Sequence, residues 1–231
     1  MKNQKLFTPI KIWLARHHPS GFLLAAQLLL LVLYAVFSDL SSRWELLNAI
    51  GGLILVLVVW VIDRSPSINW IAWVLAIPAF LLSVLAAILD NQTFLVWSSL
   101  LEAILYFYAA VSLIIYMLED NMVTTDEFFA AGATFTLLAW GFAYSYLVCQ
   151  ALVPESFING AHPGQPLSFL ELLFLSFTNL SATGLGDILP VSAPARVLAM
   201  LNQFSGVGYI TIVVSRLIGL SISSQKRKKG H

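Results

Sequence analysis

Long apolar runs recur along this chain, and they decide most of what it can fold into. The first, "GFLLAAQLLLLVLYAVF", covers residues 21–37, and comparable runs follow almost to the end. A helix needs roughly 20 apolar residues to cross the hydrocarbon core of a bilayer. Only 10% of the residues are charged and 59% are hydrophobic, whereas soluble domains carry about 25% charged residues. The chain therefore reads as an all-α, polytopic membrane protein. The formal net charge of zero specifies no partner. No basic patch with interleaved aromatics is present, which speaks against nucleic acid. The single cysteine, Cys149, excludes an intrachain disulfide and a multi-cysteine metal site. It reads as a small buried or lipid-facing residue.

Six transmembrane helices are expected, over residues 21–37, 44–62, 68–89, 94–118, 127–153 and 194–221. The basic start (Lys2, Lys5, Lys11, Arg16) precedes the first run, but no small-residue cleavage site follows, so that run reads as a retained helix. Asp63-Arg64-Ser65-Pro66 ends the second span, and Pro78 inside the third removes a backbone hydrogen bond and predicts a kink. Asp90-Asn91-Gln92 reads as a tight turn, and "PESFINGAHPGQP" as a loop. Residues 168–181, "SFLELLFLSFTNLS", are apolar but too short to span, which predicts a re-entrant or buried helix. Ser168 and Glu171 have the spacing of a capping box at its start. No internal repeat is visible.

Charge sets the orientation. With six spans both termini share one side, which collects Lys2, Lys5, Lys11, Arg16, Arg64 and Lys226-Arg227-Lys228-Lys229. The other side collects Arg43 and Arg196. The positive-inside rule places both termini in the cytoplasm, in the cytoplasmic membrane of a cell, and Arg216 near the cytoplasmic end of the sixth helix. Residues 154–193 then enter from outside. The acidic linker after Leu118 runs against the trend, but acidic residues count little in this rule.

The stretch after the short helix, "SATGLGDILP" (181–190), is the most specific feature of the chain. Read alone, a glycine-rich turn with Asp and Pro is common between helices. Its setting argues for more. Irregular backbone at membrane depth is tolerated only inside protein or beside water. The short helix would aim its partially negative C-terminal end inward, a field that favours a cation. Gly184 and Gly186 permit left-handed backbone, so successive carbonyls can point one way. A ring of carbonyls can replace an ion's hydration shell.

Residues 176–196, "SFTNLSATGLGDILPVSAPAR", resemble the pore of the potassium-channel superfamily, whose usual form is T-x-G-[YF]-G-D followed by a proline and an arginine. Gly184, Gly186, Asp187, Pro190 and Arg196 fall where that family has them. The close match covers about residues 168–220, and the layout of six helices with a pore loop between the fifth and sixth resembles the six-transmembrane branch. The resemblance implies that Ala182, Thr183, Gly184, Leu185 and Gly186 form the ion-binding filter, where K⁺ or Na⁺ would sit at backbone carbonyls. Asp187 would brace the outer mouth from behind. Thr178 and Asn179 would support the filter. Gly206 and Gly208 would form a gating hinge in the inner helix. One chain has one pore loop, so the resemblance implies a homotetramer around a central axis. The domains expected are a cytoplasmic N-terminal segment (1–20), a four-helix membrane domain (21–118), a cytoplasmic linker (119–126), a pore domain (127–221) and a basic cytoplasmic tail (222–231).

The filter departs from the family pattern. Ala182 stands where a threonine hydroxyl usually completes the innermost ion site. Leu185 replaces the common tyrosine and cannot hydrogen-bond to pore-helix aromatics, although Gly-Leu-Gly occurs in the second pore loops of two-pore-domain potassium channels. Thr183 replaces valine or isoleucine, and its hydroxyl is expected to bond behind the filter, to Thr178 or Asn179. Potassium is the first expectation for the permeant ion, and a non-selective monovalent cation pore the second. A pore-like membrane subunit that does not conduct is a third reading.

The fourth span holds no Lys or Arg and one acid, Glu102. A voltage sensor needs several arginines along one helix, so the layout does not carry voltage sensing. Glu102 is either a proton- or ligand-linked site or an acid bonded to Ser98, Ser99 or a neighbouring helix. Gln27 and Asn48 read as interhelical hydrogen-bonding residues. In the sixth helix, close packing of small residues is the alternative to a hinge at Gly206 and Gly208. Asn202, Gln203 and Ser205 are candidates for a water-filled cavity. The basic residues 226–229 hold the terminus at an anionic leaflet.

Other classes find little support. His17, His18, His162 and His231 all lie outside the spans, and no helix holds a Ser/His, HExxH or paired-Asp arrangement. Gly-x-Gly-Asp also occurs in intramembrane aspartyl proteases, but those need a second aspartate within a span; Asp39, Asp63, Asp90 and Asp120 lie at helix ends. A transporter would show repeats and paired broken helices. No enzyme activity and no cofactor beyond permeant cations is expected.

Overall fold

The computed structural model describes residues 19–37, 58–59, 69–89, 91–119, 124–160 and 164–229, without the side chains of 35, 37, 69 and 223–229. The described chain is almost entirely helical. Its elements are α1 (Pro19–Phe37), α2 (Asn69–Leu89), α3 (Gln92–Leu118), α4 (Thr125–Leu152), β1 (Phe157–Asn159), α5 (Phe169–Leu180), β2 (Ile188–Pro190), α6 (Ala193–Tyr209) and α7 (Ser215–Lys229), with a π-helical turn over Ile210–Val214 joining the last two.

Four of these stretches are long and apolar enough to cross a membrane: Trp70–Leu89, Gln92–Leu118, Thr125–Leu152 and Ala193–Ile222. The apolar part of α1, Pro19–Tyr34, and α5 are shorter. The expected second span, 44–62, lies outside the described residues except for Val58 and Val59, which are helical and buried. Asn48, Arg43, Arg64 and the N-terminal basic residues also lie outside them.

Sequence explains the helix starts. Asn91 caps α3, its side chain accepting from the Thr93 N–H at 2.9 Å. Thr124 caps α4 in a full capping box with Glu127, and Ser168 caps α5 in another with Glu171. Each such cap contributes roughly 1 kcal/mol by satisfying orphan N–H groups. The first of these boxes starts the helix at Thr125, two residues before the expected boundary.

The helix α4 is the centre of the molecule. It packs against α1, α3, α5 and α6. Small residues along it, Ala130, Ala133, Ala139 and Ala143, are buried and let neighbouring helices approach closely. Trp140 and Tyr146, both fully buried on the same helix, anchor the core with Tyr106 of α3 and Leu172 and Leu173 of α5. In contrast, α2 packs mainly on α3 and exposes Trp70, Val74, Ile77 and Ile88.

Two short strands modify the expected loop. The segment after α4 contributes β1, and the residues after the glycine motif contribute β2. They pair antiparallel, with Phe157 opposite Pro190, Ile158 opposite Leu189 and Asn159 opposite Ile188. The helix that follows also runs further than expected: α7 continues through Lys229.

Candidate functional site

The stretch 181–187 leaves the C-terminal end of α5 and lies exposed on the single chain. Its backbone is organised by one atom. The carbonyl oxygen of Thr178 accepts from the Thr183 N–H at 3.1 Å, the Gly184 N–H at 3.3 Å and the Thr183 hydroxyl at 3.2 Å. The Ser181 hydroxyl donates to the same oxygen at 3.3 Å and lies 3.0 Å from the Thr183 hydroxyl. One residue on, the Asn179 carbonyl accepts from the Ala182 N–H at 3.0 Å.

Peptide planarity turns these bonds into a statement about carbonyls. The N–H of one residue and the C=O of the residue before it point in opposite directions across a trans peptide. The N–H groups of Ala182, Thr183 and Gly184 all point back at α5, so the carbonyls of Ser181, Ala182 and Thr183 point away from it. Ala182 and Gly184 hold positive φ, 55° and 62°, with Thr183 between them at ordinary φ. That alternation lets consecutive peptides share one orientation. Glycine adopts it freely, while Ala182 does so at some strain.

Beyond residues 181–187 the chain is fastened to the α4–α5 connection. The Asp187 carbonyl accepts from the Gly160 N–H at 3.0 Å, and the β1–β2 pair continues from there. Ser156 accepts at its carbonyl from the Val191 N–H at 2.9 Å, and its hydroxyl accepts from Ser192 at 2.9 Å. Arg196 donates to the Pro190 carbonyl at 3.3 Å. The Asn159 amide donates to Glu171, the capping acid of α5, at 2.6 Å. Gln150 of α4 grips both backbone groups of Leu167, at 2.9 and 3.0 Å, just ahead of that helix. The Asp187 carboxylate is exposed and has no hydrogen-bond partner among the described residues. Leu185 is also exposed, at 65%.

A second polar group, missed in sequence, lies behind α5. Asn202 of α6 is fully buried, not cavity-lining. Its amide donates to the Tyr146 hydroxyl at 3.0 Å, to the Ser176 carbonyl at 3.2 Å and to the Ser176 hydroxyl at 3.1 Å. The Asn179 amide donates to the same Tyr146 hydroxyl at 3.2 Å, and Gln203 donates to the Asn179 side-chain carbonyl at 3.1 Å. Ser176 in turn donates to the Ala139 carbonyl at 2.7 Å. The signal for this group was polar residues in three separate apolar helices, which in a membrane seek one another.

The two candidate hinge glycines sit differently. A Cβ on Gly206 would overlap the Leu180 carbonyl, 2.7 Å from its carbon and closer still to its oxygen, whereas a Cβ on Gly208 would meet nothing within 4 Å. Gly206 is thus closely packed against the end of α5. The helix irregularity comes after both, at Ile210–Val214. On either side of it, Tyr209 donates to the Ala131 carbonyl of α4 at 2.7 Å and Arg216 to the Met117 carbonyl of α3 at 2.8 Å.

Glu102 is buried on α3 and lies beside Tyr144 of α4. Ser98 instead bonds its own helix at the Leu95 carbonyl. Tyr144 stacks on Tyr106 with centroids 5.6 Å apart and meets Phe169, the first residue of α5, at 4.7 Å. Gln27 of α1 accepts from Thr136 of α4 at 2.6 Å. Cys149 is buried, 3.9 Å from the Ser156 hydroxyl. Among the described residues no group of three or more His, Cys, Asp or Glu is placed to hold a metal ion.

Residues 132–221, from within α4 through the glycine motif into α7, match a family model described as an ion channel. No curated protein and no solved structure matches the chain. The matched segment contains the glycine motif, the β1–β2 pair and the Tyr146–Asn179–Asn202 group. With four helices of membrane-crossing length and apolarity, that similarity supports an integral membrane protein of the ion-channel kind rather than an enzyme.

Proposed function

We propose that the chain is the subunit of a tetrameric channel that conducts potassium passively through a filter made of the carbonyls at Ala182, Thr183, Gly184, Leu185 and Gly186. The observation that carries the reading is the Thr178 carbonyl, which draws in the N–H groups of Thr183 and Gly184 and thereby turns the preceding carbonyls outward. Outward carbonyls at the exposed end of a short helix have no partner in lipid, but a dehydrated cation satisfies them. In this reading α5 is re-entrant, both termini are cytoplasmic, and Asp187 adds a carboxylate at the outer end of the filter. The apolar side chains exposed on α6, Met200, Leu201 and Phe204 among them, face the other copies and the shared pore. With no basic residue in α3, the pore is not strongly voltage-gated.

A less selective monovalent cation pore is the second reading. It is favoured by Ala182, which offers no hydroxyl at the innermost ion site. The test is flux of K⁺ against Na⁺ into liposomes holding purified protein, with Ba²⁺ as blocker. Flux of K⁺ alone, stopped by Ba²⁺, supports the main reading, and equal flux supports the second. An intact tetramer that passes no cation contradicts both.

A further inference from the structure

The exposed position of Leu185 raises the question of what holds this filter in register, since leucine cannot donate the bond a tyrosine hydroxyl would make. We infer that the buried junction of Tyr146, Asn179 and Asn202 takes over that task and sets ion selectivity from behind the pore helix. The inference rests on the pore reading above.

Asn179 is the node. Its side-chain amide is held from two helices at once, by the Tyr146 hydroxyl of α4 at 3.2 Å and by Gln203 of α6 at 3.1 Å. Its backbone carbonyl receives the N–H of Ala182 at 3.0 Å, the first residue of the filter. Asn202 fixes the turn before it, through the Ser176 carbonyl and hydroxyl, and closes on the same Tyr146 hydroxyl. Next along α6, Gly206 abuts Leu180. The inner helix therefore grips the last turn of α5 at three successive levels, Ser176, Asn179 and Leu180. Tyr146, Asn202 and Ser176 are fully buried, so water cannot replace a lost partner there.

A displacement of Asn179 is transmitted directly, because its carbonyl holds the Ala182 N–H and so aims the Ser181 carbonyl, while the adjoining Thr178 carbonyl aims those of Ala182 and Thr183. Discrimination between K⁺ and Na⁺ depends on where those carbonyls stand and how stiffly. Tyr146 and Asn202 touch no ion and act through Asn179, as positioning residues.

The test compares K⁺ and Na⁺ flux in liposomes for wild type, Asn202→Leu and Tyr146→Phe. The phenylalanine variant keeps the ring that packs on Phe157 with centroids 5.3 Å apart and removes only the hydroxyl, so it covers the case in which the leucine variant fails to assemble. Both are expected to move the K⁺/Na⁺ flux ratio in the same direction, by about tenfold, the change that one lost buried hydrogen-bond set makes. A merely structural role would lower total flux or thermal stability and leave the ratio alone. A ratio within about twofold of wild type in an assembled variant, whatever its value, overturns the inference. A wild-type protein that passes no cation overturns the pore reading, and the inference with it.

Discussion

Gly206 of α6 lies so close to Leu180 at the end of α5 that a Cβ there would overlap the Leu180 carbonyl. The obstruction is backbone, not the far end of a flexible side chain, so it cannot swing aside. Gly206→Ala is expected to separate the two helices and to destabilise the protein by about 1–3 kcal/mol, as overpacking does. Gly208→Ala has open space and is expected to hold or raise stability by up to about 1 kcal/mol through helix propensity. Thermal midpoints in detergent check both. Equal midpoints for the two variants would contradict this assignment of roles.

Glu102 of α3 lies beside Tyr144 of α4 where the two helices pack. Glu102→Ala removes the polar group beside the partly buried Tyr144 and is expected to cost about 1–3 kcal/mol. Glu102→Gln keeps a carbonyl oxygen in place and is expected to cost less. A double-mutant cycle with Tyr144→Phe isolates the pair. A coupling energy indistinguishable from zero would contradict the pairing.

A voltage sensor needs several basic residues along one helix, and α3 has none. Each gating charge is worth about 2.3 kcal/mol per 100 mV. A current–voltage series in planar bilayers is therefore expected to show open probability that changes little with voltage. Steep sigmoidal activation would contradict the expectation.

Much of this was legible in the chain itself. The Ser168–Glu171 capping box fixed the start of α5, and apolar run length placed five of the six expected spans close to described helices. The remaining one, the second span at 44–62, falls almost wholly outside the described residues. The box at Thr124 and Glu127 is harder to read from sequence, because it lies in an acidic stretch that reads as linker. The β1–β2 pair was not legible: three-residue strands carry no periodicity, and the partners stand far apart in sequence. Asn202 was taken for a cavity residue because a polar side chain on an apolar helix has two destinations, water or another polar group. One helix read alone cannot choose between them. Tyr146 and Ser176 supply the choice, and they lie on different helices.

The central claim is that ions pass along the carbonyls of residues 182–186. Gly184 holds φ at 62°, where a side chain strains the backbone by about 1–2 kcal/mol, although a Cβ would meet no neighbour in the chain. The most direct measurement is cation flux in liposomes through Gly184→Ala beside wild type, with the oligomer of each checked by cross-linking. The account predicts selective K⁺ flux in wild type and its loss in the variant, with assembly unchanged. Undiminished, equally selective flux through an assembled Gly184→Ala channel would contradict it.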